Sequence, residues 1–243
     1  MRAVEKQAAR TMVNGRLNLI FDADDTLWDS NPHFLAAEEA FANAMLGAAI
    51  GCTQARLKET IHRREIEVIR RLGYGRGPFV AALHETVDEL APGSAGKPLH
   101  ARVEAIGRHL ASRPCPLLPG VEATLAELSR RHRLMLLTKG QPDEQLAKLE
   151  ASGLRPRFSR VDVVAEKDTE VYRRLIAQEL LECRRTFMIG NSPRSDINPA
   201  LRAGLCAVYI PYAKTWQLEH EELDLGHERL IVVEGFSQLR TIF

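Results

Sequence analysis

Several acidic residues lie close together near the start of the chain, directly after a short apolar run. The segment LNLIFDADDTLWDSN, residues 17–31, contains Asp22, Asp24 and Asp25, with Asp29 a little further on. Two neighbouring carboxylates repel each other and raise one pKa unless a cation lies between them. Such an oxygen-rich pair suits Mg²⁺ or acid–base catalysis. Taken alone, the cluster is equally consistent with solvated loop acids.

Later apolar runs are also followed by polar residues. They offer hydroxyl, ammonium, amide or carboxylate groups or, at the glycine, a backbone N–H: Thr138, Lys139, Gly140, Lys167, Asn191 and Asp196. Ligands of open parallel sheets bind beyond the carboxyl ends of the strands. A hydroxyl, backbone N–H groups and a lysine can hold a phosphate there, and acids can hold a metal. The order of these residues therefore predicts one site on one edge of a sheet.

The elements that must position these residues are short apolar strands separated by helical patterns. Strands are predicted at 17–21, 133–138, 161–165, 186–190, 206–210 and 230–233. Their apolar composition is typical of strands that are buried on both faces. Alternation of strand and helix predicts an α/β fold, a Rossmann-like, doubly wound parallel sheet with helices on both faces.

One long segment contains no good strand. Amphipathic helices are predicted within it at about 32–49, 53–72, 78–90 and 99–111. We therefore predict an all-helical cap domain, inserted into an α/β core after the first strand. The predicted boundaries are a tail at 1–16, a core at 17–31 and 113–243, and a cap at 32–112. The tail is expected to be frayed or a short helix.

Composition narrows the class of protein. The hydrophobic fraction is 45%, the charged fraction is 27% and the formal net charge is +1, so no basic face for a nucleic-acid polymer is expected. The four cysteines form no CxxC pair, which fits a reducing, cytoplasmic location. No apolar run approaches the ~20 residues of a membrane span, and the first residues lack the apolar centre of a signal peptide.

The residues at the strand ends resemble the four motifs of the haloacid dehalogenase (HAD) superfamily. The matching segments are DADDT at 22–26, Thr138 in LMLLTKG, Lys167 in AEKDTEVY and GNSPRSD at 190–196. The resemblance covers about 17–243, and the helical insert matches a cap that follows the first motif. The sequence departs from the family pattern at Asp25, where glycine is commonest, and at Asn191, where aspartate is frequent.

The resemblance implies a phosphatase with a covalent intermediate. Asp22 would attack a phosphoryl group to form an aspartyl-phosphate, and Asp24 would exchange protons with the leaving alcohol and the attacking water. The phosphoryl oxygens would be held by Thr138 and Lys167, with further help from the charge or backbone of Lys139 and Gly140.

The resemblance also implies a Mg²⁺ cofactor. Its ligands would be the carboxylate of Asp22, the backbone carbonyl of Asp24 and the carboxylate of Asp196. Asn191 would bind a metal-bound water, and its amide removes one negative charge compared with aspartate.

Other functions remain open. Dehalogenases of the superfamily use the same nucleophile but need neither Mg²⁺ nor the second aspartate, so Asp24 and Asp196 favour a phosphatase, whereas Asn191 slightly favours a dehalogenase. A phosphotransferase or mutase is a further alternative, as is a receiver-like phospho-acceptor that is not an enzyme. The expected partner is a small phosphorylated substrate, and the oligomeric state is open. Segment 211–224 is expected to be a surface loop with some packing, and not a second site.

Overall fold

The computed structural model describes residues 15–48 and 51–243, so the predicted tail at 1–16 lies almost wholly outside the described residues. Within them, six strands form one sheet: β1 Asn18–Phe21, β2 Arg133–Lys139, β3 Arg160–Val164, β4 Thr186–Gly190, β5 Cys206–Tyr209 and β6 Leu230–Val232. Their order is β3-β2-β1-β4-β5-β6, and every neighbouring pair is parallel. The predicted α/β class with a parallel sheet is confirmed.

Alternate residues of the strands enter separate apolar cores on the two faces of the sheet. In β1, Leu19 and Phe21 join one core and Ile20 joins the other. The helices of this part are Val121–Arg131, Pro142–Ala151, Thr169–Glu179, Asn198–Arg202 and Leu239–Ile242. Helices on both faces explain why the strands read as continuous apolar runs.

Strand β3 differs from the expectation that every strand is buried on both faces. All five of its residues are only half-buried. The reason is its place in the sheet, because β3 is an edge strand with β2 as its single neighbour.

The chain divides into two compact units. One runs up to Asn31 and resumes over Cys115–Phe243, and the other is Pro32–Pro114. The helices of the insert are Asn31–Gly47, Gln54–Leu72, Arg76–Leu90 and Lys97–Ser112. Their facing apolar residues form a core of their own, which includes Phe41, Leu83 and Val103. Among the described residues, no helix is both long and apolar enough to cross a membrane.

The sheet order brings the critical strand ends together. Strand β1 lies between β2 and β4, so the carboxyl ends of these three strands are adjacent at the point where the order of strands reverses. The segment that leads into the insert and the segment that follows it run side by side and are hydrogen-bonded. Asp29 N donates to Pro116 O at 3.0 Å, and Leu118 N donates to Leu27 O at 2.9 Å.

Candidate active site

A buried lysine joins two aspartates at the carboxyl edge of the sheet. Asp22 follows β1, Lys167 precedes the helix Thr169–Glu179, and Asp196 follows β4. Lys167 Nζ lies 2.5 Å from Asp22 Oδ1 and 2.5 Å from Asp196 Oδ1. All three side chains are buried. Residues 145 positions apart in sequence are thereby placed in direct contact.

The charges in this group are unequal, with two carboxylates for one ammonium. Burial alone would lower the pKa of Lys167, but Asp196 and Asp22 together raise it well above its usual value. Burial and the nearby Asp22 raise the pKa of Asp196 to about 7, against the opposing effect of Lys167. The buried pair of carboxylates therefore has more negative charge than Lys167 alone can balance.

Thr26 and Asn191 lie beside the nucleophile candidate. Thr26 Oγ1 is 2.8 Å from Asp22 Oδ2 and 3.1 Å from Asn191 Oδ1. Asn191 Nδ2 donates in turn to Thr215 Oγ1 at 3.1 Å. The loop after β1 is thus linked through its threonine to the loop after β4.

Asp24 lies at the same edge but is held by a different set of side chains. Its oxygens are 2.5 and 2.6 Å from Lys148 Nζ, and they accept from Gln145 Nε2 at 2.9 Å and from Trp28 Nε1 at 2.6 Å. Burial alone would raise the pKa of Asp24, but Lys148 and the hydrogen bonds lower it overall. The side chain is therefore a carboxylate in this state of the protein.

Asp25 adopts a left-handed backbone conformation, with φ of 62°. This explains why glycine is usual here, since glycine reaches such angles without strain. Its carboxylate also accepts from Ser30 N and Asn31 N, both at 2.9 Å. Asp25 therefore stabilises the turn and the start of the following helix as well.

The predicted phosphate ligands have different positions. Thr138 Oγ1 donates to Gln145 Oε1 at 3.2 Å, so Gln145 connects Thr138 with Asp24. Lys139 Nζ instead pairs with Glu219 Oε1 at 2.5 Å. The backbone N–H of Gly140 donates to Val164 O at 3.1 Å, because the sheet hydrogen bonding between β2 and β3 continues through this residue.

These contacts involve two of the predicted phosphate ligands. The Lys139 ammonium and the Gly140 N–H both have protein partners in this structure, and their help in holding phosphate stays a prediction. Thr138 and Lys167 lie at the shared edge as predicted from their strand ends.

Three residues at this edge, Gln145, Lys148 and Glu219, are not among the predicted site residues. Gln145 and Lys148 lie three positions apart in the helix Pro142–Ala151, so their common face was a usable signal. Glu219 had no such signal. It lies in segment 211–224, for which the sequence predicts a surface loop with some packing, and the residue is only 8% exposed. Tyr212 in this segment also donates to Asp29 Oδ1 at 2.5 Å.

The donor set of the site fits a hard divalent cation. Within residues 15–48 and 51–243, no group of three or more His, Cys, Asp or Glu side chains is placed to hold a metal ion. The predicted set is smaller, because it uses two carboxylates, those of Asp22 and Asp196, and one backbone carbonyl. All of these donors are oxygens, and the carboxylates are buried with incomplete charge compensation. This chemistry suits Mg²⁺.

The protein is therefore an α/β protein whose parallel sheet carries an Asp–Lys–Asp group at its carboxyl edge. A helical insert follows the first strand. This arrangement is typical of an enzyme with its active site at that edge. The chain matches the family model of the haloacid dehalogenase-like hydrolases over residues 18–204. It belongs to this family, so it is an enzyme of the hydrolase class, as the motifs predicted. Phosphatases of the family generally use Mg²⁺.

Three relatives illustrate the similarity. A glyceraldehyde 3-phosphate phosphatase of Methanothermobacter thermautotrophicus is 28% identical over 234 residues, covering 92% of this chain and 98% of that protein. A phosphoserine phosphatase of Thermus thermophilus is 33% identical over 141 residues, so the match spans only 55% of each chain. The crystal structure of a haloacid dehalogenase-like family hydrolase from Xanthomonas campestris has a TM-score of 0.78 and 31% identity, covering 94% of this chain and 92% of that one.

Proposed function

We propose that this protein is a Mg²⁺-dependent phosphatase that hydrolyses a small phosphorylated metabolite through an aspartyl-phosphate intermediate. The observation that carries the proposal is the contact of Lys167 with both Asp22 and Asp196 at the end of β1. Two curated relatives are phosphatases, and one of them aligns over almost the whole chain. Their names make glyceraldehyde 3-phosphate and phosphoserine the first substrates to test.

In the first step, Asp22 attacks the phosphorus atom and the bond to the leaving oxygen breaks. Asp24 gives a proton to that oxygen, which requires that Asp24 first takes up a proton against the effect of Lys148 on its pKa. Lys167 stabilises the negative charge of the phosphoryl group and limits its repulsion by Asp22. Thr138 supplies a hydroxyl donor to a phosphoryl oxygen, once its bond to Gln145 is exchanged.

In the second step, a water molecule attacks the aspartyl-phosphate and releases inorganic phosphate and free Asp22. Asp24 now acts as a carboxylate and accepts the proton of the water. Lys148 stabilises this ionised form of Asp24. The carboxylates of Asp22 and Asp196 and the carbonyl of Asp24 would hold Mg²⁺, which supplies neutralisation of the phosphate charge. Asn191 would contact a water of the metal.

Dehalogenation is the second candidate, because Asn191 places an amide close to Asp22 through Thr26. That reaction displaces halide from carbon and needs no proton for a leaving alcohol. The position of Asp24 at the same edge, held by three side chains, favours the phosphatase.

The proposal is tested by hydrolysis of p-nitrophenyl phosphate with and without Mg²⁺, followed by the two named substrates. We expect Mg²⁺-dependent turnover that falls by about a thousandfold or more in Asp22→Asn and by about a hundredfold in Asp24→Asn. Asp143→Asn, which changes an exposed acid at a helix start, serves as the control. Turnover that persists in Asp22→Asn, or metal-independent chloride release from 2-chloropropionate by the wild type, would contradict the proposal.

A further inference from the structure

The amide of Asn191 lies between the proposed nucleophile and the loop after β5. Its Oδ1 faces Thr26 Oγ1 at 3.1 Å, and Thr26 Oγ1 in turn lies 2.8 Å from Asp22 Oδ2. Its Nδ2 donates to Thr215 Oγ1 at 3.1 Å. Because Asn191 is only 5% exposed, these neighbours rather than bulk water decide which end of the amide faces Asp22.

Thr215 meets this amide as a hydrogen-bond acceptor. The Thr215 hydroxyl has a single proton, and it donates this proton to Tyr212 O at 2.8 Å. The lone pairs of Thr215 Oγ1 therefore face Asn191, and the end of the amide that can donate to them is Nδ2. The oxygen of the amide is thereby turned toward Thr26 and Asp22.

The turn that carries Thr215 is held in place by the loop that follows β1. Thr215 N donates to Tyr212 O at 3.0 Å and closes the turn. The hydroxyl of Tyr212 donates to Asp29 Oδ1 at 2.5 Å, and Asn31 Nδ2 donates to Lys214 O at 2.6 Å. The position of the Thr215 hydroxyl is therefore fixed by several bonds on either side of it.

The contacts on the oxygen side of the amide are one proton short. Thr26 has one hydroxyl proton, but two acceptors face it, Asp22 Oδ2 and Asn191 Oδ1. The bond to the carboxylate is the shorter one, and bonds to charged acceptors are the stronger ones. When Thr26 donates to Asp22, Asn191 Oδ1 is a buried acceptor without a donor, which is unfavourable. A hard cation, or a water bound to one, would satisfy this oxygen.

We propose that Thr215 is a positioning residue for metal binding: it turns the Asn191 amide so that the oxygen, and not the NH₂ group, faces the Mg²⁺ that Asp22 would hold. This inference rests on the proposed Mg²⁺-dependent function. A carboxylate presents an oxygen at either end, whereas an amide does so at one end and presents partly positive hydrogens at the other. An asparagine at this position therefore needs a neighbour that fixes its orientation, and an aspartate does not.

The test is calorimetric titration of the full-length protein with MgCl₂ in the absence of substrate. Thr215→Val keeps the shape of the side chain but removes the acceptor, so we expect Mg²⁺ binding to be weakened by about fivefold to tenfold. Thr215→Ser keeps the hydroxyl and should stay within about twofold of the wild type. Thr241→Val makes the same change at an exposed threonine and should bind Mg²⁺ as the wild type does.

The variant Asn191→Asp separates orientation of the amide from a merely structural role of Thr215. A carboxylate has no end that must be turned away from the cation, so adding Thr215→Val to Asn191→Asp should change Mg²⁺ binding by less than about twofold. An equal loss from Thr215→Val in both backgrounds overturns the inference. Unchanged Mg²⁺ binding in Thr215→Val, or a Thr215→Ser variant as weak as Thr215→Val, does the same.

Steady-state kinetics with p-nitrophenyl phosphate gives a second readout that does not need the double variant to fold. Thr215→Val should raise the half-activating Mg²⁺ concentration by about fivefold. Its kcat and KM at saturating Mg²⁺ should change by less than about twofold, since a bound cation itself keeps the amide oxygen turned toward it. A fall in kcat that saturating Mg²⁺ does not reverse would overturn the inference. A wild type that binds no Mg²⁺ would overturn the proposed function as well, whereas the variant results bear on Thr215 alone.

Discussion

At the scale of single residues, Gln145 and Lys148 determine where the carboxylate of Asp24 lies. Gln145 uses both ends of its amide, because Nε2 donates to Asp24 and Oε1 accepts from Thr138. Lys148 contacts both oxygens of Asp24. The proposed acid–base residue and a proposed phosphate ligand are therefore oriented by one helix, Pro142–Ala151.

Replacing Lys148 with methionine should lower kcat for p-nitrophenyl phosphate by about tenfold, because Asp24 loses the cation that orients it and stabilises its carboxylate. KM should change by less than about threefold, since Lys148 is not a proposed phosphate ligand. Steady-state kinetics at saturating Mg²⁺ measures both values. Lys97→Met removes an exposed lysine as the control. A large rise in KM with constant kcat would instead place Lys148 in substrate binding.

The residues that could be predicted are those whose position follows from a strand end. Asp22, Thr138 and Asp196 each follow an apolar run, and parallel strands bring such ends to one edge. Glu219 could not be predicted, because its contact with Lys139 joins positions 80 residues apart through a segment without regular periodicity. The pairing of Lys139 and the sheet bond of Gly140 depend on the same kind of tertiary detail.

At the scale of elements, the end of β4 packs tightly against the residue that it positions. A Cβ atom added at Gly190 would lie 2.2 Å from Asp196 Oδ2 and 2.5 Å from its Cγ. Asp196 is also held by Ser192 N, which donates to Oδ2 at 3.0 Å. The glycine of GNSPRSD is therefore required for space, and the carboxylate must move if any side chain is placed there.

We expect Gly190→Ala to abolish measurable Mg²⁺ binding by calorimetry and to lower kcat/KM by about a hundredfold or more, because Asp196 is displaced from Asp22. Circular dichroism should still report the α/β fold. Gly235→Ala is the matched control, since an added Cβ there meets nothing within 4 Å and the backbone is extended. Normal Mg²⁺ binding by Gly190→Ala would show that the loop after β4 adjusts without loss of the site.

The predicted bounds of the strands lie close to the observed ones, because a short apolar run bounded by polar residues fits few other secondary structures. The exposure of β3 could not be read from VDVVA, since composition alone does not identify which strand lies at an edge. Sheet order depends on the packing of the whole domain rather than on local sequence.

At the scale of the whole molecule, the helical insert contains an acid that limits its stability. Glu65 in the helix Gln54–Leu72 is 9% exposed. Burial, with a smaller effect of Glu38, raises its pKa to about 7. Below the unfolded value of 4.5 the side chain is protonated in both states, and between 4.5 and about 7 the folded state binds more protons. Stability is therefore lost as pH rises through this interval and does not recover above it.

Glu65→Gln should accordingly stabilise the protein near pH 8 by about 1–3 kcal/mol and have little effect near pH 5. The free energy of unfolding in urea at the two pH values measures the difference. Glu59→Gln, an exposed acid of the same helix, should change stability equally little at both. A stabilisation by Glu65→Gln that is independent of pH would show that burial of the charge is not its cause.

The paired hydrogen bonds between Asp29 and Pro116 and between Leu27 and Leu118 have a consequence for how the chain folds. Strands β1 and β2 are neighbours in the sheet, but the whole insert separates them in sequence. An unstructured insert would make their pairing the closure of a long flexible loop, with the entropy loss that this entails. An insert that folds first, with both ends emerging side by side, turns the same event into the closure of a short loop. Early folding of the helical unit is thus the faster route to the parallel sheet.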